Sequence, residues 1–165
     1  MIKAHSARIR AVGFSCDGLL LSSCGDDKLV KIWSTVDRRL QYSLKQHSNW
    51  VRYCEFSPTA SNLVSCDDKV IHVWDLVTKK PLQSYQEHNG VIHQVKFHSL
   101  GNCIASCSHD KKIKLYDLRS QRVIQIYEGH EGPVKSIDFH PHAPYLVSSS
   151  DDGTTKIWNS QKGRL

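Results

Sequence analysis

The stretch HNGVIHQVKFHSLGNCIASCSHDKKIKLYD, residues 88–117, decides the fold because its pattern occurs four times along the 165-residue chain. Each copy begins with a histidine and ends close to an aromatic residue. Successive histidines are 42, 41 and 42 residues apart, and successive aromatic residues are 41, 42 and 42 residues apart. A fixed period of roughly 20 to 50 residues is typical of proteins built from repeated supersecondary units. The chain is therefore a repeat protein with four units.

Two further polar positions recur inside every unit. An aspartate lies six residues before the aromatic residue, and a serine lies a few residues before the aspartate. The second unit is one residue shorter between its serine and its aspartate. The four sets are His5, Ser23, Asp27 and Trp33; His47, Ser65, Asp68 and Trp74; His88, Ser106, Asp110 and Tyr116; and His130, Ser148, Asp152 and Trp158.

Each unit is predicted to consist of short β-strands. The segments AVGF, CEF, QVKF and SIDF, and the segments VKIW, IHVW, IKLY and TKIW, are apolar or alternate with a period of two. Turn-forming pairs such as Ser57-Pro58 and His140-Pro141 separate them. No segment has a sustained 3.6-residue apolar period, so we expect an all-β protein with almost no helix.

Each unit resembles the WD40 repeat of β-propellers. The resemblance lies in the histidine, a phenylalanine nine residues later, the serine and aspartate, and an ending such as VKIW. The resemblance covers the whole chain, with repeats at about residues 1–38, 39–79, 80–121 and 122–165. It implies a WD40 β-propeller of which four repeats are present, the full protein having seven blades. Exposed blade edges would then make the chain aggregation-prone or dependent on a neighbour.

The repeated serine, histidine and aspartate have two interpretations. In a catalytic triad, the histidine takes the serine proton and the aspartate orients the histidine. A catalytic site is seldom copied once per repeat, whereas a polar network that joins successive strands must be copied. The WD40 resemblance implies the second role, a structural tetrad completed by the aromatic residue. We therefore predict that the chain is not an enzyme. The third tetrad differs from the others, because Tyr116 places a phenol where the other units have an indole.

Composition limits the remaining possibilities. Six cysteines without a signal peptide predict reduced thiols in the cytoplasm, and their spacing does not favour a zinc site. No cofactor is expected. No apolar run is long enough to span a membrane. The net charge of +6 favours an acidic partner, which charge alone does not identify.

Binding is predicted at basic positions that recur in the loops and at one tryptophan. Trp50 stands three residues after a repeat histidine, at a position where the other three units carry residues of different types. An exposed tryptophan beside an arginine is typical of an interface hot spot. Packing against a neighbouring blade is the alternative. The candidate partner-binding residues are Arg8, Arg10, Trp50, Arg52, His93, Lys135, Lys28, Lys69 and Lys111.

A closer resemblance concerns YSLKQHSNWVRYCEFSP, residues 42–58, with KAHSARIRAVGF, FHSLGNCIAS, LRSQRVIQIYEGH and QKGRL. These segments are similar to the proteome-of-centriole WD40 family. That resemblance implies a scaffold in centrioles, basal bodies and cilia that binds tubulin in the microtubule wall and neighbouring centriolar proteins. It implies neither a membrane nor a nucleic acid partner. The alternative is a WD40 adaptor of a ubiquitin-ligase or chromatin complex.

Overall fold

The computed structural model describes residues 3–160, and its regular structure there is entirely β. The all-β prediction is confirmed, because no helix occurs within this range. None of the described residues therefore belongs to a helix long and apolar enough to cross a membrane. Residues 161–165, which hold the QKGRL segment and the end of the fourth predicted repeat, lie outside the description, as do residues 1 and 2.

Four antiparallel sheets are formed in chain order by the described residues. Sheet 1 contains β1 (Ile9–Phe14), β2 (Leu20–Gly25), β3 (Val30–Ser34) and β4 (Leu40–Leu44); sheet 2 contains β5 (Tyr53–Phe56), β6 (Asn62–Cys66), β7 (Ile71–Asp75) and β8 (Lys80–Tyr85). Sheet 3 contains β9 (Ile92–Phe97), β10 (Cys103–Ser108), β11 (Ile113–Asp117) and β12 (Arg122–Tyr127); sheet 4 contains β13 (Val134–Phe139), β14 (Tyr145–Ser150) and β15 (Thr155–Asn159).

Strands that are adjacent in sequence pair with each other in every sheet, as short turns between antiparallel strands require. The register places the repeat serine beside the residue two positions before the aromatic, as Ser23 lies opposite Lys31 and Ser106 opposite Lys114. In this arrangement the serine of the second strand and the aromatic residue of the third strand come to lie within one sheet. The loop before the first strand carries the histidine.

The chain divides into two compact units, Met1–Glu87 and His88–Leu165. In the first unit, sheets 1 and 2 share a core that includes Ile32, Leu44, Cys54, Leu63 and Trp74. In the second unit, sheets 3 and 4 share a core built at the equivalent positions, with Leu115, Ile137, Leu146 and Trp158 buried together. Burial alternates along outer strands such as β8 and β12, which explains their period-two pattern. The middle strands β6, β7 and β10 are buried along almost their whole length, which explains their continuous apolar or small residues.

Candidate functional site

The serine, histidine, aspartate and aromatic residue of each repeat form one continuous chain of hydrogen bonds. In sheet 1 the indole N–H of Trp33 donates to the Ser23 hydroxyl across 2.9 Å, and Ser23 Oγ lies 2.8 Å from His5 Nε2. His5 Nδ1 lies 2.8 Å from Asp27 Oδ1. The chain of bonds starts in β3 and ends in the turn between β2 and β3. It fixes the loop before β1 to the inner strands of the sheet.

Sheets 3 and 4 repeat this geometry. His88 Nε2 lies 2.7 Å from Ser106 Oγ and its Nδ1 lies 2.8 Å from Asp110. The corresponding distances around His130 are 2.7 Å to Ser148 and 2.8 Å to Asp152. The indole of Trp158 donates to Ser148 across 2.8 Å.

Tyr116 changes only the bond between the aromatic residue and the serine of its tetrad. Its phenol oxygen lies 3.3 Å from Ser106 Oγ, a longer contact than the 2.8 to 2.9 Å indole bonds of the other sheets. The tyrosine ring is fully buried. A phenol therefore occupies the indole position and keeps a weaker polar contact.

The assignment of Asp68 to the second tetrad was wrong. His47 Nδ1 lies 2.8 Å from Asp67, while its Nε2 bonds Ser65 and Trp74 donates to the same serine. In sheets 1, 3 and 4 the turn after the second strand contains a residue in the left-handed region, at Lys28, Lys111 and Gly153. The shorter turn of sheet 2 lacks that residue, so the earlier of the two aspartates reaches the histidine. Asp67 also accepts the backbone N–H groups of Lys69 and Val70, each at 2.8 Å.

Hydrogen bonding lowers the pKa of three tetrad carboxylates, those of Asp67, Asp110 and Asp152. Burial alone would raise the pKa of Asp67, but the bonds from His47 and from two backbone N–H groups outweigh it and hold the pKa at about 2. Burial opposes ionisation of Asp110 in the same way, and the bond from His88 overcomes it, which gives a pKa of about 2. For Asp152 the Thr154 hydroxyl is the largest cause of a strongly lowered pKa.

His72 is a buried residue that sequence reasoning missed. It occupies the column of Lys31 and Lys156, whose ammonium groups each donate to a backbone carbonyl just before the tetrad histidine, across 2.6 Å. His72 instead bonds Ser84 through Nδ1 at 2.7 Å and packs edge-on against His47, with ring centroids 4.6 Å apart. Burial, with a smaller contribution from His47, lowers the pKa of His72 to about 4. The sequence held a signal for this residue: the position two residues before the repeat aromatic is a lysine in the other three units and a histidine only here.

The free energy of unfolding is expected to fall in two steps as the pH is lowered. His72 stays neutral in the folded chain but gains a proton when unfolded, so stability is lost between about pH 6.5 and pH 4. Asp67 and Asp110 bind a proton less readily when folded, so a second loss, on the order of 2 kcal/mol for each carboxylate, occurs from about pH 4 down to pH 2. Urea unfolding at a series of pH values measures both steps.

The control for this pH profile is His72→Gln, which removes the titrating imidazole. This variant should lose the step between pH 6.5 and pH 4 and keep the step below pH 4. A profile that is flat from pH 7 to pH 2.5 in the unaltered chain contradicts the prediction.

The serine hydroxyls of the tetrads are inaccessible from solvent. Ser23, Ser65, Ser106 and Ser148 are between 0% and 2% exposed. Three of them also accept a hydrogen bond from an indole N–H, which holds the oxygen in place. An attacking serine needs a substrate carbonyl next to its oxygen. Each tetrad joins a serine, a histidine and an aspartate in the same order as a catalytic triad does. Its buried position between the strands of a sheet is that of a structural network.

The predicted basic column is largely neutralised by aspartates. Arg10 forms a two-point contact with Asp26, with distances of 2.6 and 3.0 Å, and this hydrogen bonding raises the pKa of Arg10. Lys135 Nζ lies 3.0 Å from Asp151. These cations therefore have carboxylate partners within the chain, and their role in partner binding stays a prediction. The overlooked signal was the aspartate adjacent to the one that bonds the histidine, because its carboxylate reaches back to the first strand.

Sheet 2 forms the same ion pair with its aspartates in the opposite order. Arg52 bonds Asp68, which also accepts the side-chain amide of Asn49 at 2.6 Å. In sheets 1 and 4 the residue before the tetrad aspartate fills this role, whereas in sheet 2 the residue after it does. At the equivalent position of sheet 3, His93 faces His109 with ring centroids 6.1 Å apart.

The remaining predicted partner-binding cations are exposed. Lys28 and Lys111 occupy the left-handed position of their turns with φ of 66° and 69°, and Lys69 lies in the shorter turn of sheet 2. Arg8 is exposed, and its carbonyl accepts the Asp26 N–H at 2.9 Å. Their role in partner binding stays a prediction.

Trp50 lies at the surface and also packs against the neighbouring sheet, and its role as an interface hot spot stays a prediction. It is 45% exposed, and one face of its ring is covered by the Arg10 guanidinium of the neighbouring sheet, 5.4 Å from the ring centroid. Because Asp26 holds Arg10 at two points, the ring is supported on one side and open on the other. We call Trp50, Arg10 and Arg52 the Trp50 patch.

The cysteine and histidine positions do not assemble a metal centre within residues 3–160. All six cysteines are free thiols, and no group of three or more potential ligands converges. Burial raises the pKa of Cys107 to about 12, which keeps the thiol protonated and suits a small packing residue. His98 and His140 accept backbone N–H groups in their own turns, as expected for turn residues.

Comparison with known proteins agrees with this geometry. The family model described as "WD domain, G-beta repeat" matches residues 1–34, 38–75, 79–117 and 121–159. The human WD repeat and SOCS box-containing protein 1 is 38% identical over 63 residues, which is 37% of this chain and 15% of that protein. Mouse transducin beta-like protein 2 is 47% identical over 36 residues, 22% of this chain and 8% of the relative.

A third relative is the guanine nucleotide-binding protein subunit beta of Dictyostelium discoideum, 32% identical over 65 residues, which is 39% of this chain and 18% of the relative. The matches thus cover only a small part of the length of these relatives. The family model, by contrast, accounts for nearly the whole chain, and each of its four matches contains one complete hydrogen-bonded tetrad. The chain belongs to the WD40 repeat family.

Proposed function

We propose that the chain is part of a non-enzymatic scaffold that binds protein partners through the Trp50 patch. The observation that carries this proposal is a large aromatic ring, 45% exposed, which is held from one side by an arginine that is itself fixed by a carboxylate. Such a ring loses little conformational freedom on binding, and tryptophan and arginine dominate interface hot spots. The WD40 family membership supports an interaction role.

The proposal includes the prediction that the chain catalyses no reaction. Burial of the tetrad serines between 0% and 2% supports it, because the hydroxyl groups have no room for a substrate. The fourfold repetition of the same network supports it as well, since each copy joins the strands of its own sheet.

The more specific proposal is a scaffold of the centriole and basal body that binds the microtubule wall. It rests on the resemblance of YSLKQHSNWVRYCEFSP to the proteome-of-centriole family. This segment includes Trp50 and Arg52, which the hydrogen-bonded tetrad does not require, so the resemblance goes beyond the general repeat pattern. The net charge of +6 and the exposed lysines Lys28, Lys69 and Lys111 suit an acidic tubulin surface. The proposed location is accordingly the cytoskeleton of centrioles, basal bodies and cilia.

A second candidate is an adaptor that presents a bound protein to a larger complex. It is favoured by the relative whose name combines WD repeats with a SOCS box, a combination that suggests a ubiquitin-ligase adaptor. Both candidates use the same Trp50 patch, but only the first requires tubulin.

Co-sedimentation of the chain with microtubules tests the first candidate. We expect the wild-type chain to pellet with microtubules, and Trp50→Ala to bind at least tenfold more weakly because the anchoring ring is lost. Arg52→Glu should weaken binding through the reversed charge. The matched control is Arg39→Glu, which makes the same charge change at an exposed hairpin residue outside the patch and should bind as the wild type does.

Two outcomes contradict the proposal at different levels. If none of the chains pellets with microtubules, the tubulin candidate is wrong and the adaptor candidate remains. If Trp50→Ala pellets as well as the wild type, the patch is not the binding site. Circular dichroism of each variant, and a centrifugation without microtubules, exclude misfolding and self-association as causes.

A further inference from the structure

A cleft of about 380 Å³ lies between two turns of the second unit. One turn joins β9 to β10 and the other joins β13 to β14, so the cleft is formed by sheets 3 and 4 together. Its volume falls within the range of about 300 to 1,000 Å³ that is usual for ligand pockets. Neither turn contains a tetrad residue or one of the predicted partner-binding residues.

A histidine begins each of these two turns. His98 and His140 directly follow the phenylalanine of the first strand. Sheets 1 and 2 have Ser15 and Ser57 at this position, each 4% exposed and each accepting a backbone N–H from the far end of its turn. The histidines also accept backbone N–H groups of their turns, but their larger side chains line the cleft as well.

The hydrogen bonds of the turns decide which ring nitrogen can contact a ligand. Nδ1 of His98 accepts the Leu100 N–H at 3.2 Å. Nδ1 of His140 accepts the N–H groups of His142 and Ala143 at 3.1 and 2.9 Å. A neutral imidazole that accepts at Nδ1 carries its proton on Nε2. Burial lowers the pKa of His98, which favours the neutral ring. Nε2 of each ring is then an N–H donor for a ligand.

The other lining residues are mostly apolar or small: Leu100, Pro141, Ala143, Pro144, Ser99 and His142. Leu100 is 75% exposed, and the His98 ring is supported edge-on by Phe139 with centroids 5.0 Å apart. None of the described residues in this lining carries a permanent charge. The ligand that suits the cleft is therefore uncharged, largely apolar and a hydrogen-bond acceptor.

A metal ion suits these histidines poorly. A metal binds the lone pair of an imidazole nitrogen, but backbone N–H groups already use the Nδ1 lone pairs of His98 and His140, and Nε2 carries the proton. No group of three potential metal ligands converges anywhere in residues 3–160. A phosphate group would find neither lysine nor arginine among the described lining residues.

We propose that the cleft binds a proline-rich, extended segment of a partner protein. Proline has no backbone N–H, so such a segment brings carbonyl acceptors for the two Nε2 donors and few donors that would need acceptors in return. In the polyproline II conformation these carbonyl groups have no internal hydrogen bonds, and the proline rings can pack on Leu100 and Pro141. The segment is extended before it binds, so it loses little conformational entropy. This surface shares no residue with the Trp50 patch and takes a ligand of different chemistry.

Fluorescence polarisation of a labelled hexaproline peptide, blocked at both ends and titrated with the complete 165-residue chain, tests the proposal. The wild-type chain should bind hexaproline saturably. A glycine-serine peptide of the same length should bind at least about tenfold more weakly, because it is disordered before binding.

Two variants remove the donors and keep the turns. His98→Ser and His140→Ser each introduce the residue that sheets 1 and 2 have at this position, whose hydroxyl accepts a turn N–H. Each should weaken hexaproline binding about fivefold through the lost hydrogen bond. The matched control is His109→Ser, which makes the same change at an exposed histidine in the turn between β10 and β11 and should bind as the wild type does.

Nuclear magnetic resonance of the histidine rings gives a second measurement that does not depend on the folding of a variant. On addition of hexaproline to the wild-type chain, the Nε2 signals of His98 and His140 should shift while both Nδ1 atoms stay unprotonated. The absence of these shifts overturns the proposal. It is also overturned if the wild-type chain does not bind hexaproline, if folded serine variants bind it as well as the wild type does, or if a glycine-serine or an acidic peptide of the same length binds as tightly.

Discussion

Gly25→Ala is expected to destabilise the chain by about 3 kcal/mol, because a methyl group at this position has no room. A Cβ atom on Gly25 would lie 2.4 Å from the Arg8 carbonyl oxygen, and 3.3 Å from its carbon atom. Both neighbours are backbone atoms, which cannot rotate away as a side chain can. The Arg8 carbonyl is also held by the Asp26 N–H at 2.9 Å.

The surroundings of Gly25 extend the damage beyond one strand. Its own carbonyl accepts the Val51 N–H at 3.0 Å, so a shift of Gly25 disturbs the packing of sheet 2 on sheet 1. The same movement displaces Asp26, which holds Arg10 under Trp50. We therefore expect Gly25→Ala to lower the affinity of the Trp50 patch for its partner as well as the stability.

Gly13→Ala is the matched control for Gly25→Ala. A Cβ atom on Gly13 would meet the Ser22 hydroxyl at 3.6 Å, an ordinary van der Waals distance. The free energy of unfolding should change by less than about 0.5 kcal/mol, and the loss of backbone freedom in the unfolded chain favours a small gain. Urea unfolding followed by tryptophan fluorescence measures both variants. Equal stability of the two variants would refute the steric explanation.

Asp67→Ala is expected to cost about 3 kcal/mol, because it leaves buried hydrogen-bond donors without a carboxylate. His47 and the backbone N–H groups of Lys69 and Val70 all donate to Asp67, whose side chain is 2% exposed. Loss of the charge also removes the partner that fixes the imidazole between the aspartate and Ser65. Thermal and urea unfolding should both show the loss.

Asp68→Ala provides the comparison within the same turn. Asp68 is one residue away and carries the same charge, but it pairs with Arg52 near the surface. We expect a loss of about 1 kcal/mol or less, as is usual for partly exposed ion pairs. If Asp68→Ala destabilises the chain more than Asp67→Ala does, the tetrad of sheet 2 has been assigned to the wrong aspartate.

Most of the fold could be predicted from the spacing of the repeats, because a period-two apolar pattern and a hydrogen-bonded polar set leave little choice of architecture. His47, Ser65 and Trp74 were predicted as tetrad members for this reason. The tetrad aspartate of sheet 2 could not be identified by counting back from the tryptophan, because Asp67 and Asp68 are adjacent. A deletion inside the turn changes which of two adjacent carboxylates points inwards, and that depends on backbone geometry.

The electrostatics of the surface were harder to predict than the fold. Counting cations along the sequence finds Arg10, Arg52 and Lys135, but it does not show that an aspartate on the neighbouring strand turn reaches each of them. The strand pairing brings together residues sixteen positions apart. Trp50 was the better indicator, because a large aromatic residue at a position that the tetrad does not require is informative without knowledge of its partners.

The reversed order of Asp67 and Asp68 also limits how the repeats can be recombined. In sheets 1 and 4 the carboxylate for the outer cation comes first and the carboxylate for the histidine second, whereas sheet 2 has them the other way round. A chimera that joins half of one turn to half of another would therefore carry two carboxylates for one role and none for the other. Modules exchanged between these sheets must include the whole turn, with both aspartates taken from the same repeat.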